Sequence, residues 1–300
     1  THMHGDHMGG AFPDYPITKK GGDYILSGIT EVGEYIGFGK MVDRGWPDYT
    51  YPSPLTGNSL ANYKKFIQWN VEHNGMKMEQ FIPGTDRQFV LVKDPSAYKD
   101  QFSIRNIVSN GEVWTGTGNQ THHFFPEGAK VDENKCSSGI RISYGAFDYF
   151  NGGDISGRLQ LNSPAWRDIE TPVGKVVGPV EVCEANHHAY VDAMTDSFIA
   201  SVQPQVFIVQ VWNTTHLSLN VLQSMISRDL YQGDRNIFMT FIPEVTRQYL
   251  GEGNMKNISG SSGHVVIKVT PGGKQFSVIQ VKPSDESGKI TGVFGPYVCK

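Results

Sequence analysis

The stretch Thr1-His2-Met3-His4-Gly5-Asp6-His7-Met8-Gly9-Gly10 opens the chain and places His2, His4, Asp6 and His7 within six positions. All four are metal-ligating side-chain types. Imidazole suits zinc and its neighbours, and carboxylate suits harder divalent ions, so the mixture points to a transition-metal site with oxygen chemistry. Alternation from His2 to His4 to Asp6 aims three side chains the same way from an extended segment. The step from Asp6 to His7 sends neighbouring ligands toward two points, which suits two adjacent ions better than one. The competing reading is an affinity-tag remnant, since His-Met runs near an N-terminus are common in recombinant proteins. The rest of the chain weakens it.

Working outward, the sequence turns to β from Ser138. Ile140, Ile142 and Tyr144 alternate with Arg141 and Ser143, Gly145-Ala146 makes a turn, and Phe147 to Phe150 returns. That return strand ends at Gly152-Gly153-Asp154, where two glycines let backbone approach a site closely. A strand over 179–185 ends at Asn186-His187-His188, and a buried strand over 206–212 ends at Trp212-Asn213 with His216 just beyond. Strand ends carry the functional groups of α/β sheets. Taken singly, Asp154 reads as a cap or turn former, His187-His188 as a chance pair, and His216 as a loop residue. Their appearance in this order, after the opening cluster, is harder to dismiss.

The remaining pattern supports an α/β layer. Residues 11–58 are broken by prolines and glycines, whereas Ser59 to Asn74 reads as a helix. Ser59 can cap it, Leu60, Tyr63, Phe66, Ile67 and Val71 form its apolar stripe, and Gly75 stops it. Strands are expected at 89–92, 102–108 and 237–242, helices at 191–202 and 217–227, and a hairpin over 264–281 turning at Pro271-Gly272-Gly273. No boundary justifies a second domain. The 300 residues carry a formal charge of −4 without a Lys/Arg run, which disfavours nucleic acid as partner. No apolar stretch is long enough to span a bilayer. Cys136, Cys183 and Cys299 form no Cys-x-x-Cys pair, so neither a zinc knuckle nor a disulfide framework is implied.

With His2-x-His4-x-Asp6-His7, the Asp154 strand end and His187-His188 in this order, the chain resembles the metallo-β-lactamase superfamily of metal-dependent hydrolases. It looks most like the branch holding the extracytoplasmic domain of DNA-uptake competence proteins and the phosphorylcholine esterases, where an Asn…Ser-Ser segment and a strand pair precede Gly-Asp and His-His. Here these are Asn134 to Ser138, residues 139–150, Gly153-Asp154 and His187-His188. The resemblance implies an αββα four-layer sandwich (α/β class) spanning residues 1–300 as one domain, lacking its first N-terminal strands and carrying a family-specific insertion at about 11–130. It implies one or two divalent ions, zinc first, with manganese or iron as alternatives. His2 and His4 would hold one ion, Asp6 and His7 the other, with Asp154 bridging and His187 or His188 completing the second site.

Asp6, Asn213 and His216 are then the candidate catalytic residues, the last two for substrate or oxyanion contact. The implied activity is hydrolysis of a phosphoester or phosphodiester of a small-molecule substrate by metal-activated water. The alternatives are a metal-binding scaffold of weak activity and a nucleic-acid-processing metallohydrolase. The resemblance leans extracytoplasmic. Two departures stand out: the additional metal-binding His common in the superfamily is replaced by the Ser137/Ser138 region, and the Gly that usually follows His-His is Ala189.

Overall fold

The computed structural model describes residues 1–300. Its first eighty residues pack around their own small core. The opening cluster winds into a single turn, α1 (Gly5–Met8), followed by α2 (Ile29–Tyr35), strand β1 (Lys40–Asp43), α3 (Asn58–Asn74) and β2 (Lys77–Gln80), which pairs in parallel with β1. Leu60, Tyr63, Phe66 and Ile67 of α3 are buried against Met8, Tyr24, Tyr49 and Met76, as the apolar stripe requires. Val71 falls outside this stripe and is exposed. Gly75 ends α3 in a left-handed conformation (φ 64°), the usual glycine stop. Ser59 does not cap the helix; its Oγ accepts from the Ala11 amide at 3.1 Å instead, tying α3 to the opening segment.

A nine-stranded mixed sheet dominates the remainder. Its antiparallel part is β3 (Phe102–Ser109), β4 (Glu112–Trp114), β5 (Thr121–His123), β6 (Gly139–Tyr144) and β7 (Phe147–Asn151). Helices α4 (Glu170–Val177), α5 (Asp196–Val202), α6 (Leu219–Ile226) and α7 (Glu244–Met255) then alternate with four strands. These are β8 (Val182–Glu184), β9 (Val206–Val209), β10 (Asn236–Met239) and β11 (Ile258–Gly260), all parallel to one another and to β7. The strand order is β11-β10-β9-β8-β7-β6-β3-β4-β5. Residues 102–123, expected within an insertion, therefore extend the main sheet. The strand expected at 89–92 is absent, and this segment runs as turns with Val90 and Val92 exposed. The helix expected over 191–202 begins at Asp196, because residues 190–195 are used as a loop.

Both faces of the sheet's centre are covered, so β9 is buried at every position. One face sets Phe150, Cys183, Phe207 and Ile237 against α4, α5 and α6 through Val173, Phe198, Ile199 and Leu222. The other sets Phe147, Val182, Val206 and Phe238 against Phe276 and Val278 of an antiparallel three-stranded sheet, β12 (His264–Val269), β13 (Gln275–Val281) and β14 (Ile290–Val298). Each fully buried Phe or Val here contributes about 1.5–3 kcal/mol of transfer free energy. The architecture is a mixed α/β arrangement of small sheet, large sheet and helices. No helix is long and apolar enough to cross a membrane. The carboxyl ends of β7, β8, β9 and β10 open beside α1, and that shared edge positions the site.

Candidate metal centre

Asp154 reaches the site through a tight turn after β7. Gly153 has φ 60°, and a Cβ there would lie 2.7 Å from Thr1 Cβ and 2.9 Å from Ser137 Cβ, so only glycine fits. The Gly153 amide donates to Asn151 Oδ1 (2.8 Å) and the Asp154 amide to Ser137 Oγ (3.0 Å), which leaves the Asp154 carboxylate buried and pointed at α1. The histidine pair after β8 sits on an unusual backbone: His187, His188 and Ala189 are all left-handed (φ 47°, 53° and 58°). Such residues cost about 1–2 kcal/mol each and persist only where the surroundings over-determine them. Ala189 thus adopts a conformation that ordinarily favours glycine.

Glu170, at the start of α4, closes the base of this loop. It is wholly buried. Its Oε1 accepts from Asn186 Nδ2 and the Met194 amide (both 2.7 Å), and its Oε2 from the Thr195 amide (2.8 Å). Burial pushes its carboxyl up to about 7 against the pull of these donors. Sequence reasoning missed Glu170, since an acid opening a helix ordinarily reads as a solvated first-turn residue.

Four donor atoms converge at the centre: Asp6 Oδ2, His7 Nε2, Asp154 Oδ2 and His188 Nε2. His7 lies 3.1 Å from Asp154, 3.2 Å from His188 and 3.7 Å from Asp6; His188 lies 3.4 Å from Asp6 and 3.5 Å from Asp154. All four atoms fall within 4.8 Å of one another. Ligands held tetrahedrally at zinc's usual ~2.0–2.1 Å would be separated by about 3.3 Å. Five of the six edges therefore match a zinc-sized tetrahedron. His188 Nδ1 donates to the Gln210 carbonyl (3.1 Å), which orients the ring and turns Nε2 inward.

His2 and His4 make a second, looser pair. His2 Nε2 stands 3.0 Å from His4 Nδ1 and 3.9 Å from Asp154 Oδ2, with His2 buried and His4 exposed. Asp154 is shared between the two groups. Ser137 contacts His2 Nδ1 (3.1 Å) as well as the Asp154 amide.

Of the two candidates His187 and His188, it is His188 that joins the four-donor group, and His187 stands beside it. Its Nδ1 is 2.6 Å from Asp192 Oδ1, and its Nε2 is 3.1 Å from Asn134 Nδ2 and 3.9 Å from Asp154. Asn213 is likewise not brought to the cluster: its Oδ1 accepts from the Thr215 amide and the Thr214 hydroxyl, closing a local turn. His216 is brought in, but as packing. Its ring stacks on His188 at 4.7 Å and 8°, and its buried Nδ1 has no partner.

The charges explain one another. Burial alone would lower the His188 imidazole, but hydrogen bonds to Asp154 and Asp6 override it and raise it to about 10. The same contacts outweigh burial at the carboxylates, holding Asp6 down at about 2 and Asp154 well below the usual range. Burial and the adjacent His7 charge depress His2 to about 2. Burial opposes but does not overcome the Asp192 contact that raises His187. Burial and the charges of His188 and His187 lower His216 to about 4, so it is neutral near pH 7. Asp6 and Asp154, both beside the His188 imidazole, thus favour its protonated form. The chain matches no protein-family model, and no curated protein matches its sequence.

Proposed function

We propose that the chain is a metal-dependent hydrolase of phosphoesters, and that its packed sheets are the metallo-β-lactamase sandwich without a helical layer over β12–β14. The convergence of Asp6, His7, Asp154 and His188 carries the reading, because it brings four donors of the right softness together at zinc-like spacing. Those four residues would hold the first ion, and His2 and His4, sharing Asp154, a second and weaker one. A divalent ion bound there would supply an ionised water near neutral pH and polarise the ester's oxygen.

The protein's own contribution is positioning and proton traffic. Ser137 and Gly153 fix Asp154, Gln210 fixes His188, and the His216 ring holds the His188 plane. His187 is placed to deliver a proton from Nε2 to a leaving oxygen, with Asp192 holding the positive charge at Nδ1. Half a turn of the Asn134 amide lets its Oδ1, buried and unpartnered, accept from that Nε2–H. Metal analysis combined with assays on bis-p-nitrophenyl phosphate, p-nitrophenyl phosphorylcholine and nitrocefin tests the proposal. Phosphoester turnover abolished by chelator, and by Asp154→Ala with loss of bound zinc, is expected. Metal-free protein, or turnover indifferent to chelator, would sink it.

A further inference from the structure

A cavity of about 600 Å³ meets the four-donor cluster at Asp6 and His188, a size usual for sites that take small molecules. Its outer wall is built from three strand ends. Ile208, Gln210 and Trp212 recur at every second position along β9 and the segment after it, the spacing that puts side chains on one face. Thr240 follows β10, and its carbonyl accepts from the Gly263 amide (2.6 Å), which pins His264 beside it at the start of β12. Trp212 is the only Phe, Tyr or Trp in the lining and is 57% exposed. Its indole stands nearly perpendicular to the stacked His188 and His216 rings, at 80° and 76°, with centres 6.4 and 5.6 Å away. The site itself thus sets the plane of this platform. Around it lie groups that can still bond. Gln210 holds His188 through its backbone carbonyl and leaves an exposed carboxamide, and His264 is exposed. Thr240 Oγ1 accepts from the Val211 amide (2.9 Å) and keeps its hydrogen to donate. No Lys or Arg lines the cavity, and its one carboxyl is Asp6 of the cluster.

This wall describes its ligand. A pyranose ring has an apolar C–H face that stacks on an indole, and a rim of hydroxyls that each donate and accept. A plain aromatic ring would use the indole but leave the carboxamide, hydroxyl and imidazole without partners, at the cost of their lost water. Because those groups come from three different strands, they surround the platform instead of lining one edge, which suits hydroxyls radiating from a ring. With no cationic Lys or Arg in the wall, the ligand's anionic part belongs at the metal centre and its neutral part on the wall. We propose that this cavity is a sugar subsite, and that the ester cleaved at the cluster is a sugar phosphate with its ring stacked on Trp212 and its hydroxyls met by Gln210, Thr240 and His264. In the reaction water oxygen bonds to phosphorus, the bond from phosphorus to the sugar oxygen breaks, and the water's proton ends on that oxygen. The products are the free sugar and inorganic phosphate. This inference rests on the hydrolase reading for its chemistry, but the subsite is testable by binding alone.

The probes are phosphonates, which resist hydrolysis: ethylphosphonate, phenethylphosphonate, and the methylene phosphonate analogues of the 6-phosphates of glucose, mannose and galactose. Calorimetry on the zinc-loaded full chain should show at least one sugar phosphonate binding at least tenfold tighter than ethylphosphonate, and tighter than phenethylphosphonate, in keeping with what hydrogen-bonded hydroxyls confer. Trp212→Ala should remove most of that margin. Gln210→Ala and His264→Ala, on separate strands, should each narrow it several-fold, and zinc content of the same samples reports whether the centre is intact. In parallel, the matching sugar phosphate should be hydrolysed with at least tenfold higher kcat/KM than ethyl phosphate. Absence of any sugar preference, tighter binding of phenethylphosphonate, or a margin untouched by all these substitutions overturns the subsite. Sugar-selective binding with no hydrolysis of any ester would instead uphold it and overturn the hydrolase reading. Turnover of p-nitrophenyl phosphate without sugar preference would do the reverse.

Discussion

Replacing the carboxyl that clips the histidine loop, Glu170→Gln, should have opposite effects on stability and on metal binding. Glu170 is wholly buried, and its folded-state pKa is raised from 4.5 to about 7. The folded protein therefore holds this proton more tightly than the unfolded chain. Its contribution to stability is fully present below about pH 4.5 and is lost as pH rises through about 7. The rise of about 2.5 units, at 1.36 kcal/mol each, amounts to about 3 kcal/mol. Glutamine does not titrate. The stability difference between variant and wild type should consequently shift by about 3 kcal/mol in the variant's favour between pH 4.5 and pH 8, other titrating groups cancelling. Its amide cannot accept at both ends, however, so either the Thr195 amide or the pair from Met194 and Asn186 loses its acceptor. The loop carrying His188 loosens, and zinc affinity should fall about 10- to 100-fold, as for other residues supporting ligands. Urea unfolding of both chains with chelator across this pH range measures the first effect, and zinc competition titration the second. Parallel stability profiles, or unchanged zinc affinity, would refute the reasoning.

Ala189→Gly relieves a left-handed alanine worth about 1–2 kcal/mol, opposed by about 0.4–1 kcal/mol of extra unfolded-state entropy. It should raise the melting temperature slightly, and a clear drop would contradict the assigned backbone. Gly153→Ala drives a Cβ to within 2.7 Å of Thr1 and 2.9 Å of Ser137. It should destabilise the chain by more than about 1 kcal/mol and weaken zinc binding, both absent if the Asp154 turn were open. Because His188 keeps its proton up to about pH 10, zinc uptake at pH 8 must expel about one proton, and affinity must weaken as pH falls. Calorimetry in buffers of different ionisation enthalpy counts that proton, and a count near zero would speak against His188 as ligand.

The parts of this molecule legible in sequence are those where a local pattern and the tertiary demand coincide. The α3 stripe with its Gly75 stop, the β6–β7 pair and the β12–β13 hairpin are of this kind, as are Asp154 and the histidine pair at strand ends. Elements whose local signals conflict with their place in the fold were hidden. Helix α4 contains Pro172 and Gly174, both breakers in isolation. Yet the proline lies in the first turn, where its missing donor costs nothing, and a Cβ on Gly174 would crowd Phe198 of α5 at 3.0–3.2 Å. Strands β4 and β5 are only three residues long, β5 lies at the sheet edge, and its exposed His122 and His123 lie in a polar stretch. The choice between His187 and His188, and the roles of Glu170, Asp192 and Asn134, depend on contacts across 5 to 53 positions of sequence, which no local periodicity encodes.

X-ray absorption spectroscopy on the chain loaded with one equivalent of zinc addresses the four-donor centre most directly. The account predicts a four-coordinate shell of nitrogen and oxygen at about 2.0–2.1 Å, with imidazole scattering and no sulfur, that is lost or rearranged in His188→Ala and in Asp154→Ala. A sulfur-containing shell, or a spectrum unchanged by both substitutions, would contradict it.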